Sequence, residues 1–283
     1  MADPFYVGDG LTVFNSDLLD ALPLLEPGSI DAVVTSPPYA MQRKSTYGGV
    51  PEKDYPDWTV AWMDALKPAL KDDGSVIINI SPHVKNGELS DYVLRTRLAL
   101  RDAGWAELGE LVWHKTTAMP TGAPARPRRA WESLLWFGKH GRAWSDAKAS
   151  GTPAKRRVNA ARYGQHTRHE WGHSYSGSGK DVAVSRVSDV LSMFTVRETT
   201  GHPAAYPWQL AEWCAKLICP PGGTVLDPFA GSGSTAVAAL RNGFQSVAIE
   251  REPEYAQMIV NRYNAELAKV DDTLQLGLEN AES

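Results

Sequence analysis

The chain is poor in cysteine. Its 283 residues contain two, Cys214 and Cys219, too few for a disulfide framework and without the clustered His/Cys spacing of a zinc site. Both lie in an apolar helical stretch and read as reduced core residues. No run of about 18 apolar residues occurs, so no membrane-spanning helix is expected. Met1-Ala2-Asp3-Pro4 has neither a basic start nor an apolar stretch behind it, which argues against a signal peptide and for a cytoplasmic location. Positive charge is in slight deficit, with 29 Lys/Arg against 33 Asp/Glu. A net charge of −4 excludes a uniformly cationic coat for nucleic acid.

The charge is unevenly spread, however. Residues 139–186 hold ten Lys/Arg against three acids (Asp146, Glu170, Asp181), a local balance of +7 that leaves −11 for the rest. A basic segment on an acidic body suits either a localised phosphate-binding surface or a solvated loop with no partner. The hydrophobic fraction of 43% is ample for a core.

Periodicity supplies the elements. Residues 30–35 read as a short buried strand ended by Ser-Pro-Pro, because a proline pair stops any helix and stiffens the loop. Residues 57–70 are amphipathic, with Trp58, Trp62, Leu66 and Leu70 at helical spacing. Asp72-Asp73-Gly74 reads as a turn before a buried strand at 75–80, and residues 89–103 as a helix closed by Gly104. Strands follow at 107–115 and 132–138, in which Trp113 and Trp136 read as core. From about 140 to 190 the chain is polar, basic and rich in Gly, Ser and His. Regular structure returns with a helix at 207–219, a strand at 224–226, a helix at 234–242, a strand at 246–250 and a helix from about 253 to 269, before an acidic tail. Strands alternating with helices predict an α/β fold, a doubly wound and mostly parallel sheet whose ligands bind at the strands' C-terminal ends. The 140–190 stretch is then an insertion outside the sheet.

Two loops at such ends concentrate the chemistry. Thr35-Ser36-Pro37-Pro38-Tyr39 follows the first strand, and Asp227-Pro228-Phe229-Ala230-Gly231-Ser232-Gly233-Ser234-Thr235 follows a late one. Gly231 and Gly233 let the backbone approach a ligand closely. The helix start at Ser234 and Thr235 presents free N–H groups that suit a carboxylate. About twenty residues on, Glu250 ends the next strand, where an acid commonly bonds ribose hydroxyls. Alone, each loop has a plainer reading, a glycine-rich strand–helix turn or a polar turn. A dinucleotide loop would need a third glycine that is missing here.

Together and in this order, the two strings resemble the beta class of DNA amino-methyltransferases, the cytosine-N4/adenine-N6 family in which the catalytic loop precedes the cofactor loop. The resemblance extends through Gly104-Trp105 to Trp113-His114-Lys115 and through Glu132 to Lys139. It implies a Rossmann-like methyltransferase fold, S-adenosylmethionine as cofactor, no metal, and methyl transfer to an amine of a base flipped out of double-stranded DNA. It assigns Ser36, Pro37, Pro38 and Tyr39 to catalysis. Ser36 Oγ and the Pro37 carbonyl accept the amino hydrogens, Pro38 has no N–H to compete, and Tyr39 stacks on the base. To the cofactor it assigns Thr35, Asp227, Phe229, Gly231, Ser232, Gly233, Ser234 and Glu250, with His202 and Pro203 covering the methionine moiety. Asp17 matches an acidic position near the adenine, and reads equally as a helix N-cap.

Ser rather than Asp at the head of the catalytic loop leans towards cytosine N4, with adenine N6 as the alternative. The resemblance places DNA recognition in the basic insertion, where Lys155, Arg156, Arg157, Arg162 and Arg168 suit phosphate or base contacts. Arg129, in a Pro-rich loop with Arg126 and Arg128, is a further candidate. The expected organisation is a catalytic half at 1–139, a target-recognition insertion at 140–195, a cofactor half at 196–270 and an acidic tail at 271–283. Besides DNA, a homodimer and a cognate restriction endonuclease are compatible partners. An RNA or protein amino-methyltransferase, and a DNA-binding module without activity, remain the competing readings.

Overall fold

The computed structural model describes residues 3–40, 49–118, 125–151, 184–194 and 206–281, with side chains to residue 270. In chain order the elements open with β1 (Tyr6–Gly8), β2 (Leu11–Asn15), the short helix α1 (Leu18–Ala21) and β3 (Ile30–Thr35). Helix α2 (Tyr55–Leu66) leads to β4 (Leu70–Ile80), a small hairpin of β5 (Val84–Lys85) and β6 (Glu88–Leu89), and α3 (Tyr92–Asp102). Then come β7 (Ala106–Lys115), β8 (Trp131–Gly138), β9 (Val190–Met193), α4 (Trp208–Ile218), β10 (Thr224–Asp227), α5 (Ser234–Arg241), β11 (Gln245–Glu250) and α6 (Pro253–Ala281).

Among the described residues, nine strands form one sheet in the order β1-β2-β11-β10-β3-β4-β8-β7-β9. The run β2-β11-β10-β3-β4 is parallel, and β8 lies antiparallel between β4 and β7. Strand alternation explains the helices on both faces. Val33, Val76, Ile78, Leu135, Phe137 and Leu226 point to one face and pack against Trp62, Met63 and Leu66 of α2 and Leu100 of α3. Their neighbours Ala32, Val34, Ile77, Leu134 and Val225 point to the other, against α4 and α5. A third cluster seats Ile259 and Tyr263 of α6 on Leu11, Val13 and Ala248. The expected doubly wound α/β class is therefore the one observed.

Several details differ from expectation. Asp72-Asp73-Gly74 does not reverse the chain but lies within β4, at a register shift against β3. The cause is a close crossing. A Cβ on Gly74 would come within 2.8 Å of the Asp31 carbonyl, and Lys71 Nζ holds the Asp31 carboxylate at 2.6 Å. The stretch after 140 is not wholly outside the sheet, since β9 pairs in parallel with β7. Its base is closed by Val187 N donating to the Ala147 carbonyl at 2.8 Å. The end of the chain continues α6 to Ala281 rather than forming an irregular tail, as helix-forming Leu, Gln and Glu permit. β1 and β2 were not anticipated. Asp9 and Gly10 join them with φ of 48° and 84°, the backbone of a two-residue type I′ hairpin.

Candidate active site

The site is built where β3 and β10 lie side by side. These strands are far apart in sequence but adjacent in the sheet, with Val225 opposite Ala32 and Leu226 opposite Val33. This register brings the two loops leaving their C-terminal ends together. Thr35 Oγ1 donates to Asp227 Oδ1 at 2.7 Å across 192 residues of chain, joining the strand that feeds the Ser36–Tyr39 loop to the strand that feeds the glycine loop.

Asp227 is a junction. It is 2% exposed and also accepts from Thr235 Oγ1 at 2.6 Å, Tyr206 Oη at 3.1 Å and its own loop at Phe229 N, 3.1 Å. Burial pushes its carboxyl up, against the opposing pull of the donors from Thr235, Thr35, Phe229 and Tyr206. Thr35 and Asp227 thus spend their side-chain groups on each other and on the loop, fixing its shape from below.

Above this junction the glycine loop has the expected permissive backbone. Gly231 has φ of 51° and Gly233, the N-cap of α5, has φ of 83°. A Cβ on Gly233 would come within 3.2 Å of Ile259 on α6. Arg262 of α6 donates to the carbonyl and the hydroxyl of Ser232. Glu250, buried at the end of β11, accepts from Gly231 N at 2.8 Å and Glu252 N at 2.9 Å, so the acid expected to meet a ribose also shapes the loop. Burial pushes its carboxyl up too, with Glu252 and Gly231 N–H groups opposing. Phe229 packs with its centroid 5.5 Å from both Trp58 and Trp62.

S-adenosylmethionine fits this donor set. The Ser234 hydroxyl, in the first turn of α5, is buried without a partner among the described residues, beside helix-start amides suited to a carboxylate. Each Glu250 oxygen keeps a second lone pair for a hydroxyl donor. Asp17 takes the N-cap role, its Oδ1 accepting from Leu19 N at 3.0 Å. His202 and Pro203 lie outside the described residues, as do Lys155, Arg156, Arg157, Arg162 and Arg168.

The Ser36–Tyr39 loop is tied to its surroundings at several points. Ser36 and Tyr39 are half-buried and Pro37 is buried. Asn79 Nδ2, near the end of β4, lies 3.5 Å from Ser36 Oγ and 3.2 Å from Tyr39 Oη. Tyr39 Oη donates to Glu132 Oε2 at 2.7 Å, and Lys115 Nζ pairs with Glu132 Oε1. Burial, then the Glu132 charge, pushes the Tyr39 phenol well up. The sequence marks Lys115 and Glu132 only as strand residues and gives Asn79 and Tyr206 no role. Asn79 had a signal, a lone amide in the apolar run Val76-Ile77-Ile78-Asn79-Ile80.

Around the site's rim, Arg129 is engaged within the protein, donating to the Pro82 carbonyl and to Ser81 Oγ at 3.1 Å. Arg126 Nη2 donates to the Gly87 carbonyl at 2.6 Å, holding the β5–β6 hairpin. Both cysteines are buried, and burial pushes the Cys219 thiol up to about 12. No helix among the described residues is long and apolar enough to cross a membrane.

Residues 30–261 match a family profile described as DNA methylase, of the N6/N4 type. The type II methyltransferase M.PvuII of Proteus hauseri is 25% identical over 287 residues, covering 92% of this chain and 85% of the relative. The solved structure of PvuII DNA methyltransferase (cytosine-N4-specific) superposes with a TM-score of 0.69 at 23% identity, covering 94% of this chain and 95% of that one. A putative DNA modification methylase from Thermus thermophilus, complexed with S-adenosyl-L-methionine, gives 0.57 at 23% identity, covering 89% and 93%.

Proposed function

We propose that this chain, which belongs to the DNA methylase family and is an S-adenosylmethionine-dependent DNA methyltransferase, methylates the exocyclic N4 of cytosine in duplex DNA. The observation that carries this reading is the Thr35–Asp227 hydrogen bond between β3 and β10, which makes one site of two loops from opposite ends of the chain.

S-adenosylmethionine, when bound, supplies an electrophilic methyl group. The protein's part is to position the amine, whose lone pair is delocalised into the ring and weakly nucleophilic. Ser36 Oγ and the Pro37 carbonyl oxygen accept its two hydrogens and favour a more tetrahedral nitrogen. The target base must leave the helix, and the face of the Tyr39 ring receives it. Gly231, Ser232, Gly233, Ser234, Phe229 and Glu250 hold the cofactor, on a frame set by Thr35 and Asp227. Asp17 contributes its remaining carboxylate lone pairs on the same side of the sheet. The basic charge of the insertion suits the DNA backbone, whereas Arg129 is held by Ser81 and Pro82 at the rim of the site. The choice of cytosine is supported by Ser36 in place of a carboxylate and by the cytosine-N4-specific enzyme among the structural relatives. A cognate restriction endonuclease is the expected companion, in keeping with the type II relatives.

The test is transfer of tritiated methyl from S-adenosylmethionine to unmethylated genomic DNA, followed by nucleoside mass spectrometry, with Ser36→Ala as control. The expected product is 4-methylcytosine, reduced about 100-fold in the variant, the scale of one preorganised acceptor. Product as 6-methyladenine overturns the base assignment. Absence of label in DNA, with cofactor bound, overturns the reaction.

A further inference from the structure

Glu132 is a buried carboxylate, 8% exposed, in the second position of β8. A charge so placed is tolerated when it is paired and hydrogen-bonded. Its two partners come from different directions. Lys115, the last residue of β7, approaches one oxygen and stands 4.6 Å over the Trp113 ring. Tyr39, from the loop beyond β3, donates to the other at 2.7 Å. Since β4 lies between β3 and β8, this contact bridges across a whole strand, and Asn79 of β4 fills the gap by contacting both Tyr39 and Ser36.

We infer that Glu132, held by Lys115, is a positioning residue that sets the plane of the Tyr39 ring and, through Asn79, the place of Ser36. This inference rests on the proposed role of that loop in amine methylation. The phenol has one hydrogen to give and gives it to Glu132, while it accepts from Asn79. Its hydroxyl is thus fully engaged on the protein side, leaving the ring faces for the base. A phenol is protonated at neutral pH and burial pushes this one further up, so it keeps its hydrogen for Glu132 there. No proton or charge moves along the chain Lys115–Glu132–Tyr39–Asn79–Ser36 in this role. It prepares geometry.

The experiment is a double-mutant cycle of Glu132→Ala and Tyr39→Phe, read as single-turnover methyl transfer to genomic DNA. Cofactor Kd and thermal melting are measured on each variant. A positioning role predicts that Glu132→Ala lowers the rate constant about 10- to 100-fold, the effect of misplacing a reacting group, with cofactor Kd unchanged. Glu132→Gln, which keeps an acceptor for the phenol, recovers much of that loss. In a Tyr39→Phe background, Glu132→Ala adds little, because the contact it acts through is already gone. If Glu132→Ala does not melt cooperatively, Glu132→Gln carries the cycle, and its smaller loss must vanish with Tyr39→Phe. Losses that multiply, a Glu132 variant with wild-type rate, or a loss that follows cofactor affinity overturns the inference while leaving the methyltransferase reading intact. A wild-type protein that transfers no methyl to DNA overturns both.

Discussion

Glu52 accepts from Ser90 Oγ at 3.1 Å, lies 2.6 Å from His83 Nε2 and is 4.0 Å from Lys85 Nζ, which fastens the loop before α2 to the β5–β6 hairpin. Burial acts to raise its carboxyl, but the Ser90 and His83 hydrogen bonds and the nearby positive charge outweigh that and hold it below the usual 4.5. A carboxyl depressed on folding stabilises the protein above its ordinary value and loses that contribution as pH falls through the folded value. Wild type should therefore be more stable than Glu52→Gln at neutral pH, by about 1 kcal/mol. The gap should close as urea unfolding is repeated below about pH 4.5. A gap that widens on acidification is inconsistent with this assignment. At this scale the sequence discloses chemistry unevenly. Ser36 and Gly233 sit in short strings whose residue types have few other uses together. Glu132 and Lys115 look like any charged residues at strand ends, and acquire meaning only when β8 turns back against β4.

Among the elements, the loop–helix junction at α5 is the least forgiving. Gly233 combines a left-handed backbone with the near approach of Ile259, so Gly233→Ala meets both strain and crowding. We expect a loss of about 1–3 kcal/mol in denaturant melts and weaker S-adenosylmethionine binding by calorimetry. A variant with wild-type affinity would show that α6 yields at no cost. The same junction was readable beforehand because glycine, proline and small hydroxyls restrict what a strand–helix turn can be. β3 was equally readable, since six buried residues in a row have one plausible conformation beside a proline pair. Elements whose identity depends on a neighbour were not. β4 absorbs Asp72-Asp73-Gly74 only because β3 crosses tightly at Asp31. β9 is four residues whose strand character comes from pairing with β7. For β1 and β2 a local signal existed in Asp9-Gly10, but the strands are short and carry little alternation of their own.

For the molecule as a whole, charge and fold are separable. Residues 139–186 carry the excess of +7, whereas the sheet and both loops lie elsewhere. The Val187–Ala147 hydrogen bond brings the base of the insertion together. Replacing residues 152–183 with a short glycine linker should therefore leave thermal melting and cofactor binding near wild type while abolishing DNA methylation. In the intact protein, DNA affinity should fall about a thousandfold between 50 and 200 mM salt if some six phosphates are met. A flat salt response would mean the basic segment touches no backbone. The placement of β10 also bears on how the protein is made. It occupies the interior of the sheet, between β11 and β3, yet follows β3 only much later in the sequence, at Thr224–Asp227. On the ribosome, at about 5–20 residues per second, β3 and the Ser36–Tyr39 loop emerge well before β10 and wait some ten seconds or longer with one side unpaired. On that edge the backbone N–H and C=O groups have no strand partner until β10 arrives, and such an edge is prone to wrong pairings. A chain that stops before β10 has no glycine loop beside Ser36, so a fragment ending before Thr224 should transfer no methyl to DNA.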